Sequence, residues 1–140
     1  MSDPFALYTK TTTFMGLPLL LSHQTSLPLD DLIGLSNGTS DDTGHRIWTC
    51  SKFVVSLLKG ENCGGEECLA FLRGLFHGND VLEIGCGTGV VGAALMGSKG
   101  VLPLPCKYIF TDLNADVLNL VAHNCESNKI PSNLFETFVL

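Results

Sequence analysis

The stretch that most constrains this chain is Val81–Gly92, VLEIGCGTGVVG. An apolar run from Val81 to Ile84 carries one acidic residue, Glu83. It breaks into glycines at Gly85, Gly87 and Gly89, then resumes as Val-Val-Gly-Ala-Ala-Leu-Met. That order predicts a buried strand, a tight turn and the opening of a helix. Glycine tolerates positive φ and carries no Cβ, so a polar ligand can come close to the main chain at the turn. The free N–H groups of the following helix favour an anion such as a carboxylate. A pyrophosphate-binding loop wants little negative charge nearby, so Glu83, two residues before the first glycine, points instead to a ligand that also bears a positive charge.

The rest of the chain after residue 79 repeats the alternation. Lys107–Thr111 (KYIFT) reads as a second strand, with Asp112 at its carboxyl end. Asn114 can cap a helix of about residues 115–126 whose inner side carries Val117, Leu118, Val121 and Cys125. Residues 134–140 (LFETFVL) begin a further strand. Strand–helix–strand–helix–strand predicts an α/β fold, a Rossmann-like doubly wound parallel sheet. In such sheets ligands bind outside the carboxyl ends of the strands. Glu83, the glycine turn and Asp112 then meet at one ligand. Asp112 can accept two hydrogen bonds from a ribose diol. Glu83 can offset an ammonium, directly or through water. The ligand so described is an amino-acid nucleoside such as S-adenosyl-L-methionine. Two other readings stay open. The turn is also compatible with a plain tight connection. Gly87-Thr88-Gly89-Val90-Val91-Gly92 fits GxGxxG as well, which leaves NAD and an oxidoreductase in play. Asp112 follows Gly87 by 25 residues, against a usual gap of about 20, and the loop 98–106 could absorb the difference.

Upstream, residues 9–24 predict a β-hairpin with its turn near Met15–Pro18, Pro18 marking an edge. Residues 26–44 predict a mobile loop. A helix beginning near Trp48 is expected to bury Ile47, Cys50, Val54, Leu57 and Leu58. A second, over about residues 66–76, is expected to bury Cys68, Leu69, Leu72, Leu75 and Phe76, with Glu66 and Glu67 suiting its first turn. The helix after the glycine turn is expected over about residues 88–96, with Gly97 just past its end. The chain divides into residues 1–44, hairpin and mobile loop, and residues 45–140, the ligand-binding domain.

Composition narrows the function classes. With 45% hydrophobic and 16% charged residues over 140 positions, the chain suits one globular domain. A formal charge of −6 argues against a nucleic-acid partner, which calls for a basic stripe. The six cysteines show no CxxC pair or His spacing, so no metal site is expected. They read as reduced thiols, mostly buried, in a cytoplasmic or nuclear protein. The N-terminus lacks secretory-signal features, and no apolar run approaches the ~18 residues of a membrane span.

At these residues the chain resembles the class I S-adenosylmethionine-dependent methyltransferases. VLEIGCGTG is similar to their first motif, and TDLN to the acidic motif after their second strand. Gly44-His45-Arg46-Ile47-Trp48, followed by an amphipathic helix, resembles the Gly-x-x-x-Trp element of the lysine methyltransferase-like family (methyltransferase family 16), as do the hairpin and Gln24. The likeness covers roughly residues 12–128. It implies S-adenosyl-L-methionine as cofactor and a protein lysine as methyl acceptor. It implies a binding set of Trp48, Glu83, Gly85, Cys86, Gly87, Gly89 and Asp112. No catalytic base is assigned, and His45 and Arg46 read as a solvated loop. The family's acidic-x-x-aromatic motif near the acceptor has no counterpart here: Glu136-Thr137-Phe138 has the wrong spacing. A C-terminally truncated sheet is therefore expected. Strand 80–84, central in the family, becomes an edge open to pairing with another chain. A non-catalytic cofactor-binding or scaffold protein is the alternative to an enzyme.

Overall fold

A computed structural model of the chain describes residues 5, 6, 8–25 and 43–140. Most of the loop expected over residues 26–44 lies outside the described residues. The hairpin forms as expected. Strand β1 (Thr9–Thr11) pairs antiparallel with β2 (Leu21–His23), Thr9 facing His23. At the tip, Phe14 and Leu17 exchange backbone hydrogen bonds of 2.9 Å around Met15 (φ 51°) and Gly16 (φ 77°). Two positive φ values in a two-residue loop match the twist of a hairpin. Met15 is the costly half of that turn, and its carbonyl accepts a 2.7 Å bond from Lys59 Nζ.

Helix α1 (Thr49–Lys59) ends on Gly60 at φ 90°. It buries Val55, Ser56 and Leu58, and leaves Cys50 exposed. Of the expected stripe, Leu58 is buried and Ile47 and Val54 pack against the core, while Cys50 gives its place to Val55 and Ser56. Helix α2 (Glu66–Phe76) has the expected span but buries no residue. Of the expected inner face, Phe76 packs against the core and Leu69 and Leu72 are half-buried, while Cys68 and Leu75 are exposed, Leu75 by 52%. Its ties are local: Arg73 Nε donates to Leu58 O at 2.9 Å, and Leu69 packs where a side chain on Gly60 would stand.

The main sheet has the order β3-β4-β5, all parallel. These are β3 (Asp80–Ile84), β4 (Lys107–Asp112) and β5 (Phe135–Val139). Val81 faces Tyr108 across the first pair, and Tyr108 faces Phe135 across the second. Helices α3 (Val90–Gly97) and α4 (Ala115–Ser127) are the crossovers. Two crossovers of one hand, advancing in one direction, put both helices on the same face. That face holds the core: Tyr108 and Phe110, Ala94 and Leu95, Leu118 and Val121, joined by Leu17, Leu19 and Leu21 of the hairpin segment. On the other face Leu82, Ile84 and Phe138 are 59%, 72% and 52% exposed.

Two close approaches fix the layers. A Cβ on Gly92 would stand 2.7 Å from Tyr108 Cε1, and one on Gly97 would stand 2.8 Å from Leu19 Cδ2. Gly97 is therefore the last residue of α3, held by packing, and not the residue after it; Ser98 is the C-cap. Asn114 caps α4 as expected, accepting the Asp116 N–H at 2.9 Å. The cysteines depart from expectation: Cys86 and Cys125 are buried, Cys63 is half-buried, and Cys50, Cys68 and Cys106 are exposed. The last three belong to α1, α2 and the strand approach, whose outer sides no layer covers. Among the described residues no helix is long and apolar enough to cross a membrane, and no cluster of His, Cys, Asp or Glu could hold a metal ion.

Candidate functional site

The glycine turn joins β3 to α3. The ladder runs one step past the strand, Cys86 N–H donating to Thr111 O at 2.9 Å. Gly85, Gly87 and Gly89 then take φ of 69°, 52° and 69°. Such values favour glycine at each position. Gly89 N–H closes the turn on Cys86 O at 2.9 Å. Nothing stands within 4 Å of the position a Gly85 Cβ would take, whereas one on Gly87 would meet Gly44 O at 3.2 Å. Gly87 is thus pressed against the backbone of a 3-10 turn, Thr43–His45, and Gly85 faces open space.

Asp112 ends β4 beside this turn. Its Oδ2 accepts the Gly87 N–H at 3.1 Å and its Oδ1 accepts the Asn114 N–H at 3.1 Å. The carboxylate is oriented by two main-chain donors and keeps lone pairs on both oxygens. A cleft of about 590 Å³ opens here, within the range of small-molecule sites. Gly85, Gly87 and Asp112 line one side; Thr43, Gly44 and Trp48 line another; Leu113, Asn114, Ala115 and Val117 complete it. Trp48 is 47% exposed, which is not the burial of a core aromatic. Its Nε1 donates to Thr43 O at 2.9 Å, and the Arg46 guanidinium lies 5.8 Å from its ring centroid.

Of the seven residues expected at the site, the structure brings Trp48, Gly85, Gly87 and Asp112 onto the cleft. Glu83, Cys86 and Gly89 lie behind its wall. Gly89 serves packing: a Cβ there would come 2.8 Å from Val121 Cγ1. Cys86 is buried, and burial and then the carboxylates of Glu83 and Asp112 push its thiol far above the ordinary range. It is no nucleophile at neutral pH. Glu83 accepts a 3.0 Å hydrogen bond from the Tyr108 hydroxyl. Burial raises its pKa from 4.5 to about 7; the Tyr108 bond works against that rise and the nearby Asp112 carboxylate adds to it. The Asp112 carboxylate thus lies close enough to disfavour charge on Glu83, with no ion pair at either among the described residues.

The expectation of a solvated loop at His45 and Arg46 is corrected. His45 is 3% exposed, with its ring 5.8 Å from that of Tyr8 in an edge contact. Its carbonyl accepts the Gln24 N–H at 2.9 Å, the parallel bridge between Gln24 and Arg46 that docks the hairpin strand beside the site. Local pattern gave no sign of that pairing, since the partners lie 22 residues apart. The rim residues Thr43, Leu113, Ala115 and Val117 were also missed. Leu113 and Ala115 had a positional signal, one and three residues after Asp112; Thr43 and Val117, each five residues from an expected residue, had none.

The sequence matches the family described as lysine methyltransferase over residues 29–138, and the chain belongs to that family. No curated protein matches it. Among solved structures, a Pyrococcus horikoshii protein designated a candidate RNA methyltransferase is similar at a TM-score of 0.42 and 16% identity, over 64% of this chain and 35% of that one. The chain therefore spans about a third of that protein's length. The parallel sheet, the glycine turn and the family place the chain in the class I, Rossmann-like methyltransferase fold, whose cofactor is S-adenosyl-L-methionine.

Proposed function

We propose that this protein binds S-adenosyl-L-methionine in the Trp48–Asp112 cleft and serves methyl transfer to a lysine amine of a protein acceptor. The observation that carries the reading is the placement of Asp112. It stands at the carboxyl end of β4, is oriented by the Gly87 and Asn114 N–H groups at 3.1 Å each, and faces a cleft of fitting size. The lysine acceptor follows the family's description.

The residues present fit the cofactor. Asp112 retains lone pairs for a ribose diol. Gly85 leaves open main chain for the amino-acid end, since nothing occupies the space before it. The Trp48 ring supplies a wall that excludes water. Glu83 supplies negative charge behind the turn. With a pKa of about 7 it is partly protonated at neutral pH, and an arriving ammonium would drive its proton off. The bound cofactor supplies an electrophilic methyl group on a sulfonium. The chain's share is positioning and the exclusion of water.

Calorimetric titration with S-adenosylhomocysteine and, separately, with NAD tests the reading. Binding of the first without the second supports it. Binding of NAD alone overturns the cofactor assignment and revives the oxidoreductase.

A further inference from the structure

A second cleft lies on the other side of the segment that carries Trp48. It has a volume of about 480 Å³ and is lined by His23 and Gln24 of the hairpin strand and by Arg46, Thr49 and Lys52 around the start of α1, with Phe14 and Ile47 as apolar contacts. Among the described residues no acidic side chain lines it. Neither Arg46 nor Lys52 pairs with a carboxylate among the described residues. In a chain of net charge −6, this is a local concentration of positive charge. The start of α1 adds to it. Trp48 is the N-cap and makes no side-chain cap, so the first N–H groups of an 11-residue helix, at Thr49 on the cleft, keep their partial positive charge uncapped by a side chain. We propose that this cleft docks an acidic segment of the protein acceptor, next to the cofactor cleft.

Three features favour a peptide over another polyanion. The Gln24 side-chain oxygen is buried with no donor among the described residues. A primary amide offers a donor and an acceptor, and its terminal torsion is soft and roughly two-fold. It matches a peptide main chain, which brings N–H and C=O together, and not a phosphodiester, which brings acceptors alone. The parallel bridge pairs Gln24 with Arg46, and both residues line the cleft, so one docked residue can use both its main chain and a carboxylate side chain. Finally, Phe14 and Ile47 give apolar contact to the aliphatic part of a side chain. The two clefts share a wall: Arg46 lines this one and lies 5.8 Å from the ring centroid of Trp48, which lines the other.

The inference rests on the protein-acceptor reading, and its test reads binding without methyl transfer. Fluorescence anisotropy with the full chain would compare a labelled decapeptide rich in Asp and Glu, its Asn/Gln counterpart, and a single-stranded RNA of equal length. The acidic peptide is expected to bind at low salt and to weaken as salt screens the contact. Lys52→Glu is expected to weaken it about five- to tenfold, the size of a rim charge reversal. Lys129→Gln, past the end of α4 and outside this cleft, should leave it within about twofold. Equal losses in both variants, equal binding of the neutral peptide, or tighter binding of the RNA each overturn the proposal. S-adenosylhomocysteine affinity should be unchanged in Lys52→Glu. Failure of the wild type to bind that ligand would count against the cofactor reading and leave the peptide result standing by itself.

Discussion

The Tyr108 hydroxyl reaches across the sheet from β4 to donate a 3.0 Å hydrogen bond to Glu83 Oε2 on β3. This bond keeps a half-buried carboxyl partly ionised. Burial alone pushes Glu83 toward the neutral acid, and the bond holds its pKa at about 7. The stability consequence has a definite sign. The folded state binds the proton more tightly than the unfolded chain, so this group favours folding most below pH 4.5. Its contribution falls as pH rises toward 7 and is level above. Glu83→Gln keeps an acceptor for Tyr108 and removes the charge. In urea denaturation the variant should gain about 1–2 kcal/mol on the wild type at pH 8 and little at pH 5, after discounting the shift for partial solvation. An equal difference at both pH values would remove the ionisation from the account.

The same carboxyl sets the pH dependence of cofactor affinity. A ligand bearing an ammonium binds the ionised form better, so below the pKa of about 7 binding must first expel a proton. S-adenosylhomocysteine affinity in the wild type should climb up to tenfold per unit between about pH 6 and 7 and then flatten. Glu83→Gln should be weaker above pH 7 and show no such slope. Adenosine, which lacks the ammonium, is the control, and a slope of the same size with adenosine would contradict the assignment.

What could be foreseen divides along the range of the interactions. The order strand–turn–helix over Val81–Gly92, the cap at Asn114 and the inner side of α4 depend on neighbours within a few residues, and they form as expected; the burial expected of the strand depends on a covering layer, and no residue of β3 is buried. The tip at Met15-Gly16 is local too. The face of α1, the exposure of α2 and the burial of His45 depend on which layer arrives against them, and short-range periodicity does not carry that. The site shows the same split. Gly85, Gly87 and Asp112 were legible because turn chemistry and strand ends are local. The Glu83–Tyr108 bond needed the register of β3 against β4, and the wall at Thr43-Gly44 needed the docking of a distant turn onto Gly87.

Asp112 has two duties that mutation can separate. It accepts the Gly87 and Asn114 N–H groups, and it is proposed to accept the ribose diol. Asp112→Ala removes both and should weaken S-adenosylhomocysteine by about 1.5–3 kcal/mol, the worth of hydrogen bonds to a charged group. Asp112→Asn retains one acceptor oxygen for the turn. Its melting temperature should stay near the wild type while affinity drops about tenfold. Unchanged affinity in the Asn variant would take the ribose away from Asp112.

The uncovered face of the sheet makes its own prediction. Leu82 and Ile84 are 59% and 72% exposed on β3, an edge strand in the order β3-β4-β5. Open backbone groups beside apolar side chains favour pairing with another chain. The protein should associate at micromolar concentration in sedimentation velocity. Leu82→Thr with Ile84→Lys should shift it toward monomer without loss of helical circular dichroism. A wild type that stays monomeric at high concentration would show that this edge is shielded.

Asn124 ties the hairpin to the glycine turn. It is fully buried in α4. Its Oδ1 accepts the Ser22 N–H at 2.7 Å, and its Nδ2 donates to Ser22 O at 3.2 Å and to Thr88 O at 3.1 Å. One side-chain amide thus satisfies β2 and the start of the α3 turn together. Asn124→Ala leaves a buried N–H and two carbonyls short of partners, and each buried orphan costs about 1–3 kcal/mol before any relaxation. A loss of about 3–4 kcal/mol in urea denaturation is expected, on the scale of a domain's whole margin. Asn124→Asp should cost as much, because the acid can accept from Ser22 but cannot donate while charged. If the cofactor cleft depends on this tie, saturating S-adenosylhomocysteine should recover only part of the melting temperature, because affinity falls with the loosened turn. A loss below 1 kcal/mol would mean that packing of Leu19 and Leu21 alone seats the hairpin.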